Sequence, residues 1–291
     1  MRFFITLIRE IARSIFSLFI ASLCVFLLIY FSPGGGYDYY SAHSKNSSWN
    51  LHYFNWVKKI VVRHDFGKTK GGGEEVLPQI LYGIKNSIFL ISIALLTSIL
   101  CTAIFLLLSN RFRQPFLSGI GKFIIYAFSG IPIFIFSYVI LKLSHTKLYP
   151  YGNEPELFHY LVPGVILGIF EGTLNEMVRH SKEEIIAIKR EPYILMAIAK
   201  GAKVWKHLKY SLIILISRVI SSHLVILISG TVIVEQMFGL PGIGSLTWDS
   251  AKNRDTNLLL GILIIVISGV ILLNFTNKLI QVVLDPRLRK I

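Results

Sequence analysis

The chain has 291 residues, 53% of them hydrophobic, and a mean hydropathy of +0.61. An ordinary soluble domain of this length does not carry that much apolar sequence, so the class is integral membrane protein. The formal net charge of +14 raises nucleic acid as a partner. However, Lys and Arg fall between long apolar runs, which is the distribution of membrane topology and not of a phosphate-binding face.

Six runs are long enough to cross a hydrocarbon core, which takes about 20 helical residues. They are 11–31, 86–108, 120–142, 159–178, 211–236 and 258–284. Only a helix satisfies its own backbone in lipid within one segment, so the expected fold is an all-α bundle of six transmembrane helices. The expected organisation is an N-terminal transmembrane helix (1–31), an extracytoplasmic insert between helices 1 and 2 (32–85) and a core of five helices (86–291). Within that core, a cytoplasmic loop over 179–210 joins helices 4 and 5. Eighteen of the thirty Lys and Arg fall on the side of the termini and this loop, against eleven on the other. This bias places both termini in the cytoplasm.

In chain order, the first run follows basic residues as in a signal peptide. It shows no small-residue cleavage site, so it reads as a retained span. The insert opens with SPGGG and carries Tyr37, Tyr39, Tyr40, Trp49, Tyr53 and Trp56. These aromatics suit either a binding surface or an interfacial belt and a small cap over the helices, and Trp56 to Val62 suits a short amphipathic helix. Cys24 and Cys101 both fall inside apolar runs, which argues against a disulfide or a metal site.

Gly119-Ile-Gly-Lys122 has part of a phosphate-binding loop. It lacks the upstream Gly, the Ser/Thr after Lys and a preceding strand. Gly239 to Gly244 is Gly-rich but lies beyond a membrane run, on the outer side. Neither is expected to bind nucleotide, so no catalytic, cofactor or metal site is assigned. Any ATP and Mg would be used by partner subunits.

Polar residues inside membrane runs are functional candidates. In the fourth run Glu171, Asn175 and Glu176 occur together, with Glu171 and Asn175 at i, i+4. Arg218, His223 and Glu235 interrupt or close the fifth. Two readings stay open: a polar lining of a translocation pathway through Glu171, Asn175 and Glu235, or a structural ion pair such as Glu171 with Arg218. A proton-coupled site of Glu171, Arg218 and His223 is the rival function. Gly164, Gly168 and Gly172 form a small-residue ladder that lets helices approach closely. Pro132, Pro163 and Pro241 are placed to kink or end helices.

The segment Arg190 to Lys209 is the largest polar stretch on the cytoplasmic side. Pro192 suits a helix start, with Glu191 beside the positive N-terminal end. Leu195 to Lys200 are helix formers, Gly201 marks a turn, and Trp205, Leu208 and Leu212 recur at helical spacing beyond it.

From residue 159 onward the chain resembles the permease subunits of the oligopeptide/dipeptide/nickel branch of ABC importers. His159-Tyr-Leu-Val-Pro163 is similar to that family's approach to the fourth span. Glu191, Tyr193, Ala197, Ala199, Lys200 and Gly201 fall on its cytoplasmic coupling motif. Val232-Ile-Val-Glu235, Phe238, Pro241-Gly-Ile-Gly244, Asn253-Arg-Asp255 and Asp285-Pro-Arg-Leu-Arg289 are similar to its C-terminal signature. Upstream, Asp65-Phe-Gly67 and Asn86-Ser87 resemble the approach to the second span. The long outer segment resembles the subunit usually encoded first of a permease pair. At the place of the motif's leading Glu-Ala pair this chain has Leu195-Met196.

The resemblance implies a non-catalytic multi-pass subunit of a prokaryotic plasma (inner) membrane. It further implies a second homologous permease, two cytoplasmic ABC ATPase subunits and an extracytoplasmic substrate-binding protein, with membrane lipid around the bundle and no nucleic acid. The 190–209 loop would couple to the ATPases. Pro241, Gly242, Arg254 and Asp255 would form an outer gate or contact the binding protein.

Overall fold

A computed structural model describes residues 2–32, 48–71, 73–111, 115–143, 157–170, 172–201 and 205–284. These residues are almost entirely helical: α1 (Arg2–Tyr30), α2 (Trp49–Arg63), α3 (Val76–Arg111), α4 (Pro115–Ser129), α5 (Ile133–Leu143), α6 (Leu157–Ile169), α7 (Thr173–Lys189), α8 (Pro192–Ala199), α9 (Trp205–Phe238), α10 (Ile243–Lys252) and α11 (Thr256–Leu284). Among the described residues the only β pairing is a single Lys68–Glu75 bridge.

Among the described residues, four unbroken helical stretches are long and apolar enough to span a membrane: Leu7–Tyr30, Val76–Ser109, Ile216–Phe238 and Thr256–Val283. The shortest has 23 residues, about 35 Å of helix. Phe16, Leu28, Leu96, Leu107 and Leu272, all on these helices, are more than half exposed. In water such exposure has no compensation. In lipid it is the expected outer surface.

Two of the six expected spans take another form. The third, 120–142, is two helices, α4 and α5, separated at Gly130-Ile131-Pro132. Pro132 has no N–H to continue the α4 ladder, and its carbonyl accepts from Ile135 N at the start of α5 instead. The fourth, 159–178, breaks between Ile169 and Thr173, with a bend of 55° between α6 and α7, and α7 continues to Lys189. Gly172 makes this break, with φ of 80°. That left-handed conformation is cheap for glycine and strained for other residues. Thr173 Oγ1 donates to Phe170 O at 2.7 Å, and Glu176 N to Gly172 O at 2.8 Å, so the broken backbone is satisfied locally.

The chain forms two compact units. The first comprises Met1–Phe3, Ile88–Leu240 and Thr276–Ile291. In it α9 packs against α5, α6 and α7, α4 against α7, and α6 against both α5 and α7. Its main core includes Leu90, Ala94, Ile133, Leu167, Phe170, Leu227 and Val234. Phe170 stacks on Phe136 at 3.8 Å between ring centroids and meets Phe128 edge-on at 5.4 Å.

Gly164 and Gly168 do what the ladder predicts. A Cβ on Gly164 would lie 2.6 Å from Ile93 Cγ2, and one on Gly168 2.5 Å from Ala94 O. Ser98 Oγ donates to Gly168 O at 2.8 Å across this crossing of α3 and α6. Gly172 is not a third rung, since it is the break itself.

The second unit comprises Phe4–Ser87 and Pro241–Phe275. Two small cores hold it. Val76 and Ile80 pack with Ile243, Leu258 and Ile262, while Phe26, Tyr30 and Tyr53 pack with Leu260. The amphipathic helix expected from Trp56 begins earlier, at Trp49, and its Tyr53 and Trp56 cap the end of α1.

Candidate coupling loop and translocation helices

The segment expected to couple, 190–209, lies in the first unit. α7 ends at Lys189, the chain turns through Arg190 and Glu191, and α8 runs from Pro192 to Ala199. Proline is at the first helical position, where its missing N–H costs nothing. Glu191 O accepts from Ile194 N (2.9 Å) and Leu195 N (3.1 Å), opening the helix. Ile194 is buried and anchors α8, which packs on α7 and α9. Leu195 and Met196 point outward, 54% and 58% exposed. Neither residue belongs to the buried cores described above. Tyr193, Ala197 and Ala199 lie on the same helix, and Ala199 and Lys200 are exposed.

Gly201 ends the segment with φ of 65°, and a Cβ there would meet nothing within 4 Å. Its requirement is therefore conformational and not steric. The expected helix, break, helix pattern is what the backbone adopts, with α9 beginning at Trp205.

The polar residues of the bundle separate. Glu171 lies outside the described residues. Asn175 is half-buried on the first turn of α7, and Glu176 on that turn pairs with Arg179 and His180. Arg179 also reaches Glu183 at 3.1 Å. Arg218 on α9 donates to both carboxylate oxygens of Glu184 on α7, at 3.0 and 3.1 Å, so its partner in the structure is Glu184. His223 is buried, and its Nε2 has no hydrogen-bond partner among the described residues. Glu235 is 1% exposed near the end of α9, where its carbonyl accepts from Leu240 N at 2.9 Å. Arg218 is thus engaged away from His223, and the two do not form one site.

In the second unit the motifs of residues 65–87 and 241–257 lock onto one another. Asn86 Nδ2 donates to Pro241 O at 2.7 Å, and Ser87 Oγ accepts from Ile243 N at 2.7 Å. Gly242 N donates to Ser245 Oγ at 3.0 Å, which starts α10. Asp255 caps α11 by accepting from Leu258 N at 3.1 Å, and it accepts from Lys70 N at 2.7 Å. Asn257 Nδ2 donates to Lys68 O at 3.0 Å beside Gly67, whose φ is 83°. Of the four outer candidates, Gly242 and Asp255 are buried, Pro241 is half-buried and Arg254 is exposed in a left-handed turn with φ of 54°. Gly119 and Gly121, the partial phosphate loop, are ordinary positions inside α4.

Residues 95–290 match the family described as binding-protein-dependent transport system inner membrane component. The chain belongs to that family. Among its relatives, a probable peptide ABC transporter permease protein of Sinorhizobium fredii is 25% identical over 82% of this chain and 80% of its own length. The oligopeptide transport system permease protein AppB of Bacillus subtilis is 23% identical over 82% of this chain and 80% of its own. The nickel import system permease protein NikB of Staphylococcus aureus is 24% identical over 98% and 92%. This ABC importer permease is therefore a non-catalytic, multi-pass membrane subunit that works in a transporter complex.

Sequence reasoning missed three things in the permease. Ser98 bonds across a helix crossing, Glu184 neutralises Arg218, and Asn86 and Ser87 fasten the 241–243 turn. Arg218 inside an apolar run calls for a carboxylate without saying which, Asn86-Ser87 and Pro241-Gly-Ile-Gly244 stand out only as separate motifs, and Ser98 leaves no signal.

Proposed function

We propose that this permease is one half of an unlike pair in an ATP-driven importer of oligopeptides or dipeptides. Its partners are a second homologous permease, two cytoplasmic ABC ATPase subunits that use ATP and Mg, and an extracytoplasmic substrate-binding protein. The proposed organisation is an N-terminal span (1–31), an outer insert (32–85) and a core (86–291), with both termini in the cytoplasm. The peptide class follows the names of two relatives cited above, while a third is named for nickel import.

The observation that carries the coupling role is α8 itself. It is a two-turn helix, anchored by buried Ile194, that presents exposed Leu195 and Met196 and ends at left-handed Gly201. Such an element fills a groove on a partner. Ala199 permits close approach, and Lys200 supplies charge for an acidic rim. ATP binding closes the ATPase pair, α8 moves with it as a rigid lever through α7 and α9, and the bundle alternates its opening. Glu191, Tyr193, Ala197, Ala199, Lys200 and Gly201 are assigned to this coupling. Glu171, Asn175 and Glu235 are assigned to the pathway, and Pro241, Gly242, Arg254 and Asp255 to the outer gate or binding-protein contact.

Affinity purification from mild detergent, with mass spectrometry of the eluate, tests the partners. A second permease and ATP-hydrolysing subunits should co-elute, and Gly201→Leu should weaken the ATPases' retention. A folded chain that elutes alone refutes the assignment.

A further inference from the structure

The second unit holds a basic cleft whose cations have no part in the function proposed above. An open cleft of about 920 Å³ lies between α2, the turn over residues 65–70 and the first turn of α11. Five cations line it: Lys58, Lys59, Arg63, Lys68 and Lys70. All five are exposed, and none is in an ion pair among the described residues. Two acids share the walls, and backbone N–H groups already engage both. Asp65 accepts from Gly67 N at 2.8 Å, and Asp255 is the buried cap that holds Lys70 N and Leu258 N. The cleft is therefore an excess of positive charge aimed at open space. It is also an anomaly in the topology, because this basic cluster lies on the side where Lys and Arg are expected to be fewer.

Its position indicates what covers it. α2 lies beside the last turns of α1, an apolar span that runs from Leu7 to Tyr30. Tyr53 Oη is 2.8 Å from Ser22 Oγ, and the Tyr53 and Trp56 rings stand 5.4 and 5.6 Å from Phe26. Ser22 is eight residues before Tyr30, about 12 Å along the helix. α2 is thus set at the depth of a leaflet and not beyond it. On α2 itself, Leu51, Phe54 and Val61 are 55%, 63% and 66% exposed. Apolar faces at acyl depth, with Lys and Arg on the same short helix, are the arrangement of an interfacial helix that meets anionic headgroups. The volume suits a headgroup, since ligand clefts run from roughly 300 to 1,000 Å³.

We propose that this cleft binds the phosphate of an anionic phospholipid of the outer leaflet. The five cations surround the headgroup, and the apolar side of α2 lies against its chains. The lipid would fasten α2 and the 65–70 turn to the membrane surface. This inference does not depend on the cargo or on ATP coupling.

Native mass spectrometry of the full chain in mild detergent, titrated with phosphatidylglycerol or phosphatidylcholine, tests it. The parent should retain phosphatidylglycerol in preference. Removing surface cations costs about fivefold in binding each, so Lys59→Gln with Arg63→Gln should weaken retention by about 25-fold. Lys142→Gln with Lys189→Gln, neither of which lines the cleft, should leave it unchanged, and excess inorganic phosphate should fail to displace the lipid. Equal retention of the two lipids by the parent overturns the proposal, as does an equal loss in the control pair. Displacement by inorganic phosphate overturns it in favour of a free-anion site. Absence of lipid preference, combined with loss of binding-protein capture in the cleft variant, overturns it in favour of a protein-docking surface.

Discussion

Gly168→Ala is the sharpest test of how α3 and α6 are packed. The new Cβ would sit 2.5 Å from Ala94 O and 3.2 Å from Ser98 Oγ. The first of these is a backbone atom and cannot rotate away. Carbon–oxygen contacts ordinarily begin at about 3.3 Å, so the helices must part by about 0.8 Å. Overpacking of this kind costs about 1–3 kcal/mol, and losing the Ser98–Gly168 bond adds about 0.6 kcal/mol. Alanine returns about 1 kcal/mol in helix propensity. The net is a destabilisation of roughly 0.5–2.5 kcal/mol. Gly269→Ala on α11 is the matched control: a Cβ there meets nothing within 4 Å, leaving only the propensity gain of about 1 kcal/mol. Denaturant unfolding in one detergent should therefore shift the two variants in opposite directions. A Gly168→Ala chain as stable as the parent would refute the close crossing.

Asp255→Ala removes the α11 cap and the acceptor for Lys70 N, and should cost about 0.5–2 kcal/mol. Hydrogen exchange should show faster exchange over residues 67–76 and in the first turn of α11. Arg218→Gln should cost under about 1 kcal/mol, because the pair with Glu184 is 46% and 22% exposed, and in thermal melts Glu184→Gln in the same background should add nothing further. Leu195→Ser with Met196→Ser should leave the melting temperature within about 1–2 °C while reducing ATPase co-purification at least tenfold.

The helical class and four of the spans were legible because a continuous apolar run of 23 residues or more has no other solution in lipid. Gly201 was legible for a similar reason: glycine after a run of helix formers announces a turn. The breaks at Pro132 and Gly172 were harder. Summed hydropathy is blind to a missing N–H, and Gly164, Gly168 and Gly172 have identical spacing, so only φ separates two packing glycines from a hinge. Arg218 announced that it needed a carboxylate but not which one, since Glu184 is 34 residues away in sequence. Asn86 and Pro241 are 155 residues apart, and no local pattern links them. Leu195 and Met196 read as departures from the coupling motif, and the spacing alone did not say that both are exposed on α8.

The most direct measurement is uptake into proteoliposomes that hold the assembled complex, with ATP enclosed and binding protein and labelled peptide outside. Uptake should require ATP hydrolysis, persist when the proton gradient is collapsed, and fall at least tenfold in the Gly201→Leu complex. Uptake that continues without ATP and stops when the gradient is collapsed would contradict the importer reading and make the chain a proton-coupled carrier.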